Sequence, residues 1–303
     1  MKLTRRQFGT FTATAALLAS ASPLFAQSFP SKEITLLVNY GAGGAVDRTA
    51  RAIQPFLPEA LGQNVIVENI GGAGGKTGLK KFMEAERDGY TILTAFAPAT
   101  TYAKFTDPDI FSLSDLAIIN VMWTDPAILL AQKDAGWTSL ADMIAYAKAN
   151  PGKVTFGSSG KGGAARKAFA SGEIQLTAAG AGGATSIKDD AVVLGLFSDA
   201  GTAPDWPDAP SINAELAAMN VSVPEGGAYR FFAVHSDVKK NHPERFETLV
   251  KAFEETINNN QAFKDAAAKS GVGTDWQGAE AAQSLIEEVD ARFTKILQDE
   301  ADG

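Results

Sequence analysis

The sequence predicts an α/β fold with a mainly parallel sheet, divided into two domains that are joined by a double hinge. Short apolar runs alternate with segments of helical periodicity, and glycine-rich or serine-rich loops follow several of these runs. This alternation favours parallel strands connected by right-handed crossovers. The chain has 303 residues, of which 45% are apolar and 20% charged, and it is long enough for two domains of ordinary size.

The first 26 residues have the layout of an export signal. Lys2, Arg5 and Arg6 precede an apolar stretch of small residues, and Ala26 offers a cleavage site. Two interpretations remain open. Residues 4–8 resemble the twin-arginine export motif, and an ordinary Sec signal with two chance arginines is the alternative. Under either interpretation we expect an extracytoplasmic mature protein. Removing the three positive charges of the signal takes the formal net charge from −8 to −11.

The N-terminal part of the mature chain repeats one unit, a strand followed by a glycine-rich loop and a helix. Three glycines lie in the loop 39–45, and Asp47 falls in the first turn of the helix that follows, where a carboxylate is favoured by the helix dipole. The predicted elements are strands at 34–38, 65–67 and 90–95, a helix from Val46 to Leu57, and a helix at 79–85.

Two apolar stretches are predicted to cross between the domains. The stretch 118–132 contains Pro126, which indicates a strand that leaves one sheet and enters another, and the stretch 229–234 returns. The boundaries are therefore a signal peptide at 1–26, domain 1 at 27–123 plus 231–303, and domain 2 at 124–230. Further predicted elements are a helix at 139–149 with a capping box, strands at 154–156 and 192–197, helices at 243–258 and 279–297, and none at 170–186.

Composition excludes several classes of function. The chain has no cysteine, which excludes disulfides, thiolate metal sites and cysteine nucleophiles, and its two histidines argue against a multi-histidine metal centre. The net charge of −8 argues against nucleic-acid binding, which needs a basic surface. We therefore expect no metal, no cofactor and no nucleic-acid partner.

Two motifs resemble catalytic or nucleotide-binding loops but are incomplete. The Gly-Lys-Thr at 75–77 would need a glycine at position 70 to form a phosphate-binding P-loop, and that residue is Ile70. A serine hydrolase elbow centred on Ser159 would need a glycine at position 161, which is Lys161. Neither activity is expected.

The loops 39–47 and 157–163 each follow a predicted strand and open a helix. Such a loop presents free backbone N–H groups at the positive end of the helix dipole, and ligands of open α/β sheets bind beyond the carboxyl ends of the strands. One loop in each domain predicts a cleft that holds a small anion from both sides. Arg48, Lys161 and Arg166 could add positive charge, although exposed charged faces are the simpler interpretation.

Several sequence blocks together resemble a known family, the periplasmic solute-binding proteins of tripartite tricarboxylate transporters, also called the Bug family. These blocks occur in the family's order and extend over most of the chain. They are 29–32, 39–47, 61–63, 67–69, 72–75, 88–91, 147–153, 157–160 and 271–273.

The resemblance implies a periplasmic-binding-protein-like fold of type II, in which two α/β domains close on a ligand like a Venus flytrap. It implies a small carboxylate ligand, delivery to the membrane permease subunits of the transporter, and no catalysis. We expect a monomer. The ligand-binding residues that the resemblance implies are Tyr40, Ala42, Gly43, Gly44 and Asp47, then Phe96, Ala97 and Thr100, and finally Ser158, Ser159, Gly160 and Gly162.

The chain departs from the family pattern in two places. Val46 stands where the family often has serine or threonine, and only 26 residues separate Gly160 from Ile187. The second domain is therefore predicted to be shortened by about one β-α-β unit. This shortening motivates one alternative, a periplasmic interaction or sensor partner with altered or lost ligand binding. A second and separate alternative is a periplasmic hydrolase that uses Ser158 or Ser159.

Overall fold

One long strand takes part in two sets of strands. The computed structural model describes residues 29–157, 162–198 and 203–302, so the predicted signal peptide lies outside the described residues. The strands are β1 (Ile34–Val38), β2 (Val65–Asn69), β3 (Thr91–Ala97), β4 (Leu116–Gln132), β5 (Phe156–Gly157), β6 (Leu176–Gly180), β7 (Ala191–Leu196) and β8 (Gly227–His235).

The helices lie before, between and after these strands. They are α1 (Ala45–Ile53), α2 (Leu57–Leu61), α3 (Lys76–Met83), α4 (Ala99–Thr106), α5 (Leu140–Ala149), α6 (Gly162–Ala170), α7 (Ala181–Ala184), α8 (Ile212–Leu216), α9 (Ser236–Asn241), α10 (Pro243–Asn259), α11 (Gln261–Ser270) and α12 (Ala279–Asp302).

The sheet order is β2-β1-β3-β8-β4-β6-β5, and β7 also pairs with β4. We call β2, β1, β3, β8 and residues 116–126 of β4 the first strand set, and residues 127–132 of β4 with β5, β6 and β7 the second strand set. Pro126 still pairs with Gly227 of β8, whereas Ala127 pairs with Gly180 of β6. The exchange of partners thus occurs within β4, immediately after Pro126. The division of the chain into two domains stays a prediction.

The expectation of a mainly parallel sheet is wrong at the crossing strands. β1 pairs in parallel with β2 and β3, and β5 pairs in parallel with β6. In contrast, β8 is antiparallel to β3 and β4, and β4 is antiparallel to β6 and β7. One crossing strand leaves the first strand set and the other returns to it, so the two must run in opposite directions.

Apolar side chains cover both faces of the first strand set. Leu36 and Val38 of β1 face α1 and α10, whereas Leu37 faces α3 and α12, as the alternation of a strand requires. The largest fully buried side chains here include Phe82, Phe232 and Phe253, and each buried phenylalanine stabilises the fold by roughly 2–3 kcal/mol.

The second strand set is smaller and has its own two apolar clusters. Ile128 and Leu130 of β4 face one cluster with Phe169 and Trp206. Leu129 of β4 faces the opposite cluster, which contains Trp137 and Leu140. The strands β5, β6 and β7 have only two, five and six residues.

Side-chain caps begin the helices α5, α8 and α11. The Ser139 half of the predicted capping box is confirmed, because its Oγ accepts the N–H of Asp142 at 3.1 Å, whereas the Asp142 carboxylate accepts from the N–H and the hydroxyl of Thr138. The strand β6, the short helix α7 and the helix α11 were not predicted. In β6 the sequence Leu176–Gly180 has one β-branched residue among small ones, so the usual strand signal is weak.

Two features were sought in the described ranges and not found. No helix in them is both long and apolar enough to cross a lipid bilayer. Nor do these ranges contain a group of three or more histidine, aspartate and glutamate residues that could hold a metal ion.

His235 is a buried titratable group at the end of β8. Its ring stacks on Phe82 with centroids 4.3 Å apart, and its Nε2–H donates to the Phe82 carbonyl oxygen at 2.9 Å. Nδ1 is buried and has no hydrogen-bond partner among the described residues. Burial, the dominant cause, lowers the pKa of His235 below its usual value.

We expect the free energy of unfolding to fall as pH decreases below about 6.5, the pKa of an unfolded histidine. Burial disfavours the charged imidazolium, so His235 binds a proton less readily in the folded protein than in the unfolded chain. The stability that neutral His235 provides is therefore fully present above that pH and is lost as the pH falls through the lowered pKa of the folded state. The slope is at most about 1.4 kcal/mol per pH unit, the limit for one proton. Urea unfolding at pH 7.5 and 5.5 measures it. The His235→Phe variant should lose this slope and the control His242→Asn should keep it. An equal slope in all three proteins would contradict the assignment.

Candidate functional site

The loop after β1 is held in place by Asp47. Its carboxylate accepts from the N–H of Gly43 at 2.8 Å, from Nδ2 of Asn69 at 2.9 Å, and from Nε of Arg51 at 2.9 and 3.0 Å. Gly43 has a φ of +82°, which glycine adopts without strain. Asp47 is 2% exposed and both of its oxygens are occupied. Asp47 therefore positions the loop, and its direct contact with a ligand stays a prediction.

The electrostatic state of Asp47 follows from the same contacts. Burial alone raises the pKa of a carboxyl, but the hydrogen bonds from Gly43, Asn69 and Arg51 outweigh it and hold the pKa of Asp47 below its usual value. The carboxylate is thus ionised at neutral pH. The stability that it provides is present above about pH 4 and is lost as the pH falls through its lowered folded-state pKa.

Asp47→Asn is expected to lower the free energy of unfolding by about 2 kcal/mol, since an amide nitrogen replaces one acceptor oxygen of a buried, charge-assisted network. Urea unfolding at pH 7 measures this change. The control is Asp265→Asn, which alters an exposed carboxylate on α11 and should change stability by less than about 0.5 kcal/mol. Equal effects of the two substitutions would contradict the positioning role of Asp47.

Tyr40 joins the first loop to the second glycine-rich loop. Its hydroxyl donates to the carbonyl oxygen of Gly74 at 2.8 Å, and its ring lies 5.4 Å from the ring of Phe96. Burial raises the pKa of Tyr40 to about 12, so the hydroxyl stays a donor at physiological pH. The half-buried rings of Tyr40 and Phe96 form one wall beside the exposed backbone of Gly41 to Gly44.

The remaining predicted site residues occupy different environments. Ala42, Gly43 and Gly44 are exposed in the first loop, where they open α1. Ala97 and Thr100 are buried at the end of β3 and the start of α4. Ser158, Ser159 and Gly160 lie outside the described residues, and Gly162 is the first residue of α6. Ligand contact by any of them stays a prediction.

Arg230 is a buried cation at the point where the strand sets meet. It is 6% exposed, its Nη2 donates to Oδ2 of Asp125 at 3.2 Å, and its guanidinium lies 3.8 Å from the ring of Trp123. Its Nε and Nη1 are buried without a hydrogen-bond partner in the described part of the chain. Burial lowers the pKa of Arg230, while Asp125 opposes that change.

Two more arginines approach the same place. Arg48 of α1 lies with its guanidinium 5.5 Å from the Trp123 ring, and its Nη1 donates to the Ser270 carbonyl oxygen at 3.0 Å. Arg166 of α6 lies against Gly183, where a Cβ atom would stand 3.2 Å from its Nη1. Burial, and then the charge of Arg48, lower the pKa of Arg166. We call Arg48, Arg166 and Arg230 the arginine cluster.

Asp125 connects the arginine cluster to the second strand set. Its Oδ1 accepts from the N–H of Gly182 at 2.9 Å, while Oδ2 accepts from Arg230. A Cβ atom at Gly180 would lie 2.3 Å from Oδ2, so this approach requires glycine. The buried carboxylate is therefore fixed between β8 and the segment that follows β6.

Asp125 and Arg230 were not predicted from the sequence, and Arg48 and Arg166 were expected to lie on exposed charged faces. In the structure Arg48 and Arg166 are partly buried and lie near each other at the crossing. A signal existed: Arg230 interrupts the apolar stretch 229–234, and a charge in a buried strand requires a partner. The site thus combines an aromatic wall, exposed loop backbone and an excess of positive charge, which suits an anionic ligand.

Part of the chain is similar to known sequences. Residues 49–181 match the family model described as the tripartite tricarboxylate transporter family receptor, TctC. A relative from Bordetella pertussis, described as a UPF0065 protein, is 42% identical over 154 residues, which are 50% of this chain and 47% of that protein. The chain thus spans about half the length of the curated relatives it matches. The resemblance stated from the sequence is confirmed over this segment.

Solved structures show the fold. The periplasmic binding protein BugD superposes with a TM-score of 0.71 at 19% identity, covering 89% of this chain and 98% of that chain. MatC from Rhodopseudomonas palustris, solved with bound malate, gives a TM-score of 0.71 at 18% identity and covers 88% of this chain and 99% of that chain. The predicted periplasmic-binding-protein-like α/β fold is therefore confirmed.

Proposed function

We propose that this chain is a periplasmic solute-binding protein for a small organic carboxylate. Residues 49–181 match the family model of the tripartite tricarboxylate transporter receptors, and the fold is similar to that of BugD. The observation that carries the proposal is Arg230, whose Nε and Nη1 are buried without a partner in the described residues. An unpaired buried donor costs about 1–3 kcal/mol, and more for a charged group. A carboxylate beside this guanidinium would accept a charge-assisted hydrogen bond from one of these nitrogens.

The proposed mechanism is hinge closure of two domains, residues 27–123 plus 231–303 and residues 124–230, around the ligand. The arginine cluster takes Arg48 from the first domain and Arg166 from the second, and Arg230 lies at the boundary between them. A ligand between them contacts both sides only when the domains are closed. Because the ligand binds the closed state more tightly than the open state, it shifts the population toward the closed state.

The predicted site residues complete the cleft. The exposed backbone of Ala42, Gly43 and Gly44 offers N–H groups at the start of α1, and Tyr40 and Phe96 offer an apolar wall. Ser158, Ser159, Gly160 and Gly162 are proposed to contribute from the second domain. The closed protein would deliver its ligand, as a monomer, to the permease subunits of the transporter. The malate bound to MatC supports a carboxylate ligand.

A thermal-shift screen of the purified mature protein against mono-, di- and tricarboxylates tests the proposal. A ligand at 100 times its Kd stabilises the folded state by about 2.7 kcal/mol, which raises Tm by several degrees. We expect a concentration-dependent rise with one class of carboxylate. The Arg230→Gln variant should lose most of that rise, and the control Arg87→Gln, altered in a surface ion pair with Asp237, should keep it. A cooperative transition that no carboxylate shifts would contradict the proposal and favour the interaction-partner alternative.

A further inference from the structure

We propose that the groove between α1 and α11 is a docking surface for an acidic segment of a partner protein. The groove has a volume of about 420 Å³, and its lining includes Arg48, Arg51, Ala52, Phe56 and Ala266. Of these residues only Arg48 belongs also to the arginine cluster. The occupant is a glutamate or aspartate side chain next to a leucine or phenylalanine. This docking surface does not require a ligand in the cleft.

The groove has an apolar part and is open to solvent. Its apolar part includes the buried Ala52 and the half-buried ring of Phe56, which is held edge-on by the buried Phe263 with ring centroids 5.9 Å apart. Pro55 and Ser270, which also line the groove, are exposed. Sites for small molecules usually enclose roughly 70–90% of their ligand. An open groove therefore suits side chains that project from a protein surface better than a free small molecule.

The two arginines of the groove keep donors for an added carboxylate. Arg51 donates from Nε to Asp47 and from Nη2 to Oδ1 of Asn69, and its Nη1 has no hydrogen-bond partner among the described residues. Arg48 donates from Nη1 to the Ser270 carbonyl oxygen, a neutral acceptor. The two guanidinium groups lie one turn apart on α1, where like charges repel each other. A carboxylate near both of them reduces this repulsion.

Charge complementarity decides the chemistry of the partner. Acidic residues outnumber basic ones by 35 to 27 in this chain, so most of its surface repels an acidic segment. In the described part of the chain, the only charged residues that line the groove are Arg48 and Arg51. A carboxylate there gains charge-assisted hydrogen bonds, and the surrounding negative charge disfavours other docking positions. The groove thus fixes where an acidic segment can dock.

Docking in the groove has a direct connection to the first loop. The Asp47 carboxylate accepts both from Arg51 and from the N–H of Gly43, at 2.8 Å from the latter. A partner carboxylate would compete with Asp47 for the guanidinium of Arg51. The amide of Gly43 is therefore a reporter of docking, although it lies outside the groove.

Nuclear magnetic resonance of the ¹⁵N-labelled mature protein tests the proposal. The probe is the peptide acetyl-Gly-Glu-Leu-Gly-amide, and its matched control has glutamine in place of glutamate. We expect the glutamate peptide to cause saturable shifts in the amide signals of α1, α11 and Gly43, with a Kd at least about 10-fold lower than that of the glutamine peptide. Equal affinities of the two peptides, or shifts that map elsewhere, would overturn the proposal.

A pair of variants on α11 tests the position of the docking surface. Ala266→Glu places a carboxylate in the groove and should weaken binding of the glutamate peptide by about 10-fold or more. Ala268→Glu makes the same charge change at an exposed residue of the same helix and should alter the Kd by less than about twofold. Circular dichroism melting verifies that both variants are folded. A folded Ala266→Glu variant that binds the peptide as tightly as the original protein would contradict the assignment.

Two further measurements examine other occupants of the groove. If hexanoate shifts the same signals with a lower Kd than the peptide, the groove is a site for a small acid and the proposal fails. If sedimentation shows a dimer that Ala266→Glu abolishes, the occupant is a second copy of this chain and the proposal likewise fails. None of these outcomes bears on carboxylate binding in the cleft, which the thermal-shift screen measures separately.

Discussion

Asp125→Ala is expected to lower the free energy of unfolding by about 3–5 kcal/mol, because it leaves the buried Arg230 without its counter-charge. Asp125 is 3% exposed and accepts from both Arg230 and the Gly182 N–H, so one substitution removes two hydrogen bonds at the crossing. Urea unfolding at pH 7 measures the loss as a lower midpoint. Arg230 has no other carboxylate within ion-pair distance in the described part of the chain, so local rearrangement cannot compensate.

The double variant Asp125→Ala/Arg230→Met separates a buried charge from mere loss of packing. Replacing both charges with apolar groups should restore most of the stability, leaving a deficit of about 1 kcal/mol for the unpaired Gly182 N–H. The surface control Glu84→Ala breaks the exposed pair with Lys81 and should cost less than about 1 kcal/mol. If Asp125→Ala costs no more than this control, the Asp125–Arg230 pair is well hydrated and the argument for an anion site at Arg230 loses its basis.

Gly78→Ala is expected to destabilise the fold by about 3 kcal/mol, although alanine favours a helix over glycine by about 1 kcal/mol. Gly78 is buried in α3, and a Cβ atom there would lie 2.4 Å from the Ile70 carbonyl oxygen and 2.5 Å from Asn39 Cα. Both neighbours are backbone atoms, so the helix must move away from the end of β1. Urea unfolding measures the net effect.

Gly41→Ala is the matched control for Gly78→Ala. Gly41 lies in the first loop, has no atom within 4 Å of its added Cβ and does not need a positive φ. Its substitution should change stability by less than about 0.5 kcal/mol. Similar losses for both variants would mean that the loop as a whole, and not the close approach of α3, limits stability.

The elements that sequence reasoning placed well are those with a strong period and a clear stop. The apolar run of β1, the capped helix α5 and the long amphipathic helix α10 lie within a few residues of their predicted positions. The crossing at β4 could be located because Pro126 interrupts a long apolar run. Whether two strands pair in parallel or antiparallel depends on which strands are neighbours in the sheet. A run of apolar residues does not identify its neighbour, so strand direction could not be predicted from these local signals.

The site was less predictable than the fold. Glycine-rich loops can be recognised directly in a sequence. In contrast, Arg230 and Asp125 are 105 residues apart and meet only because β4 and β8 pair at the crossing. Arg48 and Arg166 each look like one charge on a helix surface. Their proximity depends on how the two strand sets are arranged, which no local pattern encodes.

The continuity of β4 has a consequence for how the chain loses its structure. Residues 116–126 pair with β8, and residues 127–132 pair with both β6 and β7. Melting this one strand would therefore break pairings in both strand sets, and β6 and β7 have no partner in the first strand set to replace them. We accordingly expect both strand sets to unfold in a single cooperative transition, even though their apolar clusters are separate.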